Sequence, residues 1–196
     1  MAIRDASCGI SAVGGTKQAI RDAAVRLFGT KGFEPTSLRE VADAVGITKA
    51  SLYYHYSSKL DLLVAIIDPI LDHLRTVVAD IAGVPYDAEG RRAVLRTYVR
   101  GMMRHRDAGA LILRDTVAIF NAMGDRYPEL WNAHQTLCAW LAGPEPTAEA
   151  KLRAAAALEA LRVALLSMEM VPEASDELVE STLLDAATAV LERRAA

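Results

Sequence analysis

The stretch TSLREVADAVGITKASLYYHY, Thr36 to Tyr56, decides the fold of this chain. Ser37 followed three residues later by Glu40 forms a capping box, with Thr36 as the competing cap, and Leu38, Val41, Ala42 and Val45 fall on one face of a short helix. Gly46 stops that helix, Ile47 fills the corner, and Thr48 is placed to cap a further helix running through Tyr56. Two short helices joined by a tight glycine turn make a helix-turn-helix. It needs a small residue at Ala42, a φ-permissive one at Gly46 and an apolar wedge at Ile47, and all three are present. Four consecutive polar rings, Tyr53, Tyr54, His55 and Tyr56, point in successive directions around a helix and cannot all face inward. Some of them must meet something outside the fold.

Outward from that unit the chain reads as helix. Its 196 residues are 52% hydrophobic with seven prolines, and the Ala- and Leu-rich segments lack β-branched runs, so an all-α protein is expected. Thr16 can start a helix to about Lys31 with Ile20, Ala23, Ala24, Leu27 and Phe28 as its inner stripe; Gly32 ends it and Phe33 is a buried anchor. After Ser57-Ser58 a long helix runs from Lys59 to about Ile81, with a kink or break expected near Asp68 because Pro69 removes a backbone hydrogen bond. Further helices are expected at 88–106, 108–123, 126–142, 147–171 and 175–194, nine in all. The predicted organisation is a flexible arm over 1–15, a three-helix unit over 16–58 and a helical body over 59–196.

Composition narrows the function. No apolar run reaches membrane-spanning length, and the first fifteen residues lack a signal-like apolar core, so a cytoplasmic protein is expected. Cys8 and Cys138 have no ligand-spaced neighbours, and no metal site or cofactor is expected. The four histidines stand in no metalloprotease spacing, and neither a phosphate-binding glycine loop nor a GxSxG elbow occurs, which argues against an enzyme. Residues 1–60 hold eight Lys or Arg against five Asp or Glu, and the remainder fourteen against twenty, so the basic character is confined to the N-terminal third.

The segment from Ala19 to Ile67 resembles the tetracycline-repressor (TetR) family of bacterial transcriptional regulators. The likeness rests on the spacing of Phe28, Gly32 and Phe33, on Thr36-Ser37, Val41-Ala42, Val45-Gly46 and Leu52 to Tyr56, and on Lys59 with Leu62-Leu63. The resemblance implies an N-terminal helix-turn-helix domain, a C-terminal helical domain for ligand binding and dimerisation, and repression as the mode of control. In a helix-turn-helix the third helix lies in the DNA major groove, which assigns Thr48, Lys49, Ala50, Ser51, Tyr53, Tyr54 and His55 to the DNA surface and turns Leu52 inward. Lys49 can donate to guanine, and Ala50 can sit on a thymine methyl. Lys59 matches the family's phosphate-touching lysine, and Thr36 and Arg39 are similarly placed on the second helix. Tyr56 is expected to pack against the first helix; Lys17 and Arg21 are either phosphate contacts or a solvated face. With Arg4 the one basic residue before Lys17, minor-groove contact by the arm is not expected.

The same resemblance implies a homodimer on a palindromic operator, released by a small, largely apolar effector. The broad apolar face of 147–171 and the closing helix supply the expected dimer contacts Leu158, Leu161, Leu165, Thr182 and Ala186. Candidate pocket walls are Tyr98, Met102, Leu113, Val117 and Phe120, with Met123, Trp131, His134 and Trp140; ordinary core packing is the competing reading of each. The Arg92, Arg96, Arg100, Arg104 stripe reads as a solvated face paired with acids.

Overall fold

The structure is a computed structural model that describes residues 8–123 and 128–192. Among the described residues there are eleven α-helices and no strand. They divide into two compact units: residues up to Ile67 together with Leu111–Met123, and Asp68–Ala110 together with the chain from Gly124 onward. Packing thus divides the chain at 67/68 rather than at 58/59. Leu62, Leu63 and Ile66 explain the shift, because these opening turns of the long helix are buried in the first unit's core.

The first unit holds α1 (Cys8–Lys31), α2 (Leu38–Val45), α3 (Lys49–His55), the start of α4 (Lys59–Asp80), the end of α6 (Arg106–Arg114) and α7 (Thr116–Met123). Helix α1 begins at Cys8, so the second half of the expected arm is helical. Gly14 and Gly15 each lower helix propensity by about 1 kcal/mol but do not stop it. Ile20, Ala23, Ala24 and Phe28 of the inner stripe of α1 are buried and Leu27 is half-buried, and Phe28 meets Phe33 edge-on at 5.2 Å. Val41, Ala42 and Leu52 complete the small core.

Helix α4 runs unbroken through Pro69, so no break interrupts it at Asp68. The second unit contains the rest of α4, α5 (Ala88–Arg104), the start of α6, α8 (Pro128–Ala142), α9 (Ala148–Arg162), α10 (Ser167–Met170) and α11 (Asp176–Glu192). Two expected helices divide: 108–123 at Asp115, between α6 and α7, and 147–171 at Val163, where a 3-10 turn replaces the α-helix. Ala154, Ala157, Leu158 and Leu161 of α9 are buried in this unit, as are Leu184 and Ala187 of α11. Three arginines of the α5 stripe are paired with acids of α11: Arg92 reaches Asp185 at 2.5 Å, and Arg96 and Arg100 share Glu180 at 3.7 and 2.8 Å.

Candidate nucleic-acid interface

Local sequence builds the helix-turn-helix. The Ser37 hydroxyl accepts from the Glu40 N–H while the Glu40 carboxylate accepts from the Ser37 N–H, so the box is closed from both sides and Ser37, not Thr36, is the cap. Gly46 takes φ 76°, a left-handed conformation that glycine adopts without steric cost, and the N–H of Ile47 donates to the Ala42 carbonyl at 3.0 Å. Thr48 caps α3 by accepting the Ser51 N–H at 3.1 Å. Its hydroxyl proton stays free to donate.

A salt bridge braces α2. Lys31 lies 2.6 Å from Glu40, and this hydrogen bond, with those from Ser37, holds the Glu40 carboxyl down at about 2, below its ordinary value of 4.5. The folded carboxyl therefore releases its proton at lower pH than the unfolded one. The contribution of this pairing is fully present above pH 4.5 and is lost as pH falls through about 2. Glu40→Gln is expected to remove that part of the acid dependence and leave the slope above pH 5 (about half a unit clear of the carboxylate range) unchanged, as read by urea unfolding across pH.

The outer face of α3 is presented as the sequence suggests. Tyr54 is 82% exposed and Tyr53 44%, while Leu52 is fully buried. The Lys49 ammonium lies 5.5 Å from the Tyr53 ring centroid, and the Tyr54 and His55 rings meet edge-on at 5.4 Å. Lys49 and Ala50 are exposed, Ser51 and His55 half-buried. Arg39 stands out from α2, 3.9 Å from Asp43. These groups combine ammonium, guanidinium, hydroxyl and aromatic edge on one short outward surface, the chemistry that phosphates and base edges require.

Two expected contacts are revised. Thr36 is 1% exposed and donates its hydroxyl to the Gly32 carbonyl at 2.8 Å, so it ties down the α1–α2 turn and is not on the surface. Lys59 donates to the carbonyls of both Phe33 and Glu34 at 2.9 Å and lies 4.4 Å from the Phe33 ring centroid. Its ammonium keeps one N–H for another acceptor. The sequence reading missed the partner on the other side of that turn. Asp115 accepts the Phe33 N–H at 2.7 Å, and Arg114 donates to the Gly29 carbonyl at 3.0 Å, across 82 and 85 residues.

Other expected positions separate. In the second unit Tyr98 and Met102 are buried and His134 and Trp140 half-buried. Burial pushes the Tyr98 phenol up to about 12 and the His134 imidazole down, with Cys138 Sγ 3.5 Å from His134 Nε2. Leu113 and Met123 belong to the first unit. Val117 is 74% exposed on α7, which removes it from any enclosed wall, and the side chains of Phe120 and Trp131 lie outside the described residues. Leu158 and Leu161 are fully buried and Leu165 nearly so, so these three pack their own core, whereas Thr182 and Ala186 are exposed. No cluster of three or more metal-ligating side chains occurs among the described residues.

This geometry defines a helix-turn-helix protein. Residues 20–66 match the family model for bacterial regulatory proteins of the tetR family. The biofilm operon icaADBC HTH-type negative transcriptional regulator IcaR of Staphylococcus aureus is 39% identical over 62 residues, 32% of this chain and 33% of that protein; the chain thus spans about a third of the length of the curated relatives it matches. Among solved structures, Mycobacterium smegmatis AmtR is similar with a TM-score of 0.68 at 24% identity, covering 98% of this chain and 92% of that one. AibR, solved in complex with isovaleryl coenzyme A and operator DNA, follows with a TM-score of 0.64 at 22% identity over 90% and 97% of the two chains. Residues 20–66 are thus a tetR-family DNA-binding domain, and the fold over most of the chain is similar to that of solved regulators of this kind.

Proposed function

We propose that the chain is a transcriptional repressor that binds a palindromic operator as a homodimer and leaves it when a small, largely apolar effector binds. The observation that carries DNA binding is the α3 face, where Lys49, Tyr53 and Tyr54 project outward from a helix fixed by Leu52 and the Thr48 cap. A side chain as costly to expose as tyrosine, placed twice in succession on a seven-residue helix, implies a partner. Arg39 and the remaining N–H of Lys59 would add phosphate contacts. Negative regulation is the role named for IcaR, and an operator complex with an acyl coenzyme A is known for AibR. Binding to mixed-sequence duplex that weakens steeply with salt, and binds one selected sequence far more tightly, is the expected behaviour. Equal affinity for all sequences would contradict a specific operator.

The apolar surface suited to a second copy keeps Thr182 and Ala186 and takes exposed neighbours in place of the buried Leu158, Leu161 and Leu165. On α9 and just beyond it, Leu152 is 72% exposed, with Ala156 and Val163 on the same side, and on α11 Leu178 is 57% exposed, followed by Thr182 and Ala186. Leucines four to eight residues from small ones allow two helix pairs to approach closely. Leu152→Glu with Leu178→Glu is expected to turn the dimer into a folded monomer, read by light scattering with circular dichroism as control. A double variant that stays dimeric would place the interface elsewhere.

For the effector, Tyr98 is a buried phenol, and His134 is held toward its neutral form. Two uncharged polar side chains in the second unit suit a mainly apolar ligand with a hydrogen-bonding end.

A further inference from the structure

Tyr56 ends α3 as its C-cap residue, 4% exposed, and its hydroxyl is shielded and makes no hydrogen bond to any described residue. A buried hydroxyl without a partner is destabilising, whereas phenylalanine fills the same space without that cost. Stability therefore does not explain the oxygen. Two cations of α1 attend it. The Lys17 ammonium lies 5.6 Å from the Tyr56 ring centroid, and Arg21, one turn further along the same face, acts electrostatically on the phenol. Lys17 is exposed and Arg21 half-buried, and neither forms an ion pair among the described residues. Tyr56 is also continuous in sequence with the exposed Tyr53 and Tyr54, which places these donors beside the α3 surface.

We propose that the Tyr56 hydroxyl, Lys17 and Arg21 form a site for one phosphodiester group of the DNA backbone, entered when the Lys17 side chain swings off the tyrosine ring. The site rests on the DNA-binding reading above and extends the interface from α3 to α1. The ammonium and guanidinium supply charge, and the phenol supplies a directed O–H donor to a phosphate oxygen. With no partner for the hydroxyl among the described residues, part of its desolvation cost is recovered on binding, a gain that phenylalanine could not make.

The test uses the full chain and an operator duplex recovered by selection, with affinity followed by fluorescence anisotropy against salt. Tyr56→Phe is expected to weaken binding by about tenfold, with the salt slope unchanged and the thermal midpoint equal or higher. Lys17→Ala is expected to lower the slope by about one per subunit. The double variant should lose less than the product of the two single losses, because both donors serve one phosphate. Inorganic phosphate alone is expected to leave the thermal midpoints of wild type and Tyr56→Phe shifted equally; selective stabilisation of the wild type would point to a free-anion site and overturn the assignment to DNA. Wild-type affinity in Tyr56→Phe would overturn it as well. Should Tyr56→Phe fail to fold, Lys17→Ala decides, since an unchanged slope in that exposed-residue variant excludes the phosphate contact. A wild-type chain that binds no duplex at all refutes the DNA reading itself and this site with it.

Discussion

Lys49→Ala combined with Tyr54→Ala is expected to weaken operator binding by about a hundredfold or more while leaving folding intact. A base-edge contact and a backbone contact are each worth about 1–3 kcal/mol, and tenfold in affinity corresponds to about 1.4 kcal/mol. A dimer would lose both contacts twice. Neither side chain caps α3, which depends on Thr48, nor fills the core, which depends on Leu52. Surface changes of this kind alter stability by less than about 0.5 kcal/mol. The single variants separate the roles: Lys49→Ala should relax discrimination among bases, and Tyr54→Ala should weaken all sequences alike. Both are read by anisotropy against the operator and a scrambled duplex.

Gly90→Ala is expected to lower the stability of the second unit by about 2 kcal/mol, a thermal shift of about 4–8 °C. A Cβ at Gly90 would lie 2.0 Å from the backbone oxygen of Pro85 and 3.0 Å from Val84 Cγ1. Backbone cannot rotate out of the way, so the Val84–Asp87 segment must shift, and with it the Asp87 cap that accepts the Gly90 N–H at 2.7 Å. Overpacking of about 1–3 kcal/mol and a cap worth about 1 kcal/mol outweigh the gain of about 1 kcal/mol that alanine brings to a helix. Gly15→Ala is the control. Nothing lies within 4 Å of a Cβ there, so the same substitution should stabilise. Equal thermal midpoints for the two variants would show that the close approach at Gly90 is relieved without cost.

The parts legible in the sequence were those written in short-range chemistry. The Ser37–Glu40 box, the left-handed Gly46 and the Thr48 cap each depend on residues within four positions of one another, and each forms as read. The inner face of α1 and the inward Leu52 follow from helical period alone. What escaped depends on distant partners. Thr36 looks like a free hydroxyl at a helix start until the Gly32 carbonyl is seen to take it, and Lys59 looks like a free cation until two carbonyls of the α1–α2 turn close on it. No pattern in sequence could pair Phe33 with Asp115. The division of 108–123 at Asp115 was hidden because no glycine or proline marks it and apolar residues resume at Val117. The charged residues of α9, Glu149, Lys151, Arg153, Glu159 and Arg162, are spread around the helix instead of gathered on one face, so periodicity could not tell that Leu158 and Leu161 face the core and Leu152 the outside.

Selection of random duplex DNA by the purified protein, followed by affinity against salt for the winning sequence, tests the central claim most directly. A dimeric DNA reader should enrich a palindrome whose half-sites are one helical turn apart, about 10 base pairs, bound in proportion to dimer and released as salt rises. Absence of any enriched sequence for the effector-free protein at low salt would contradict it.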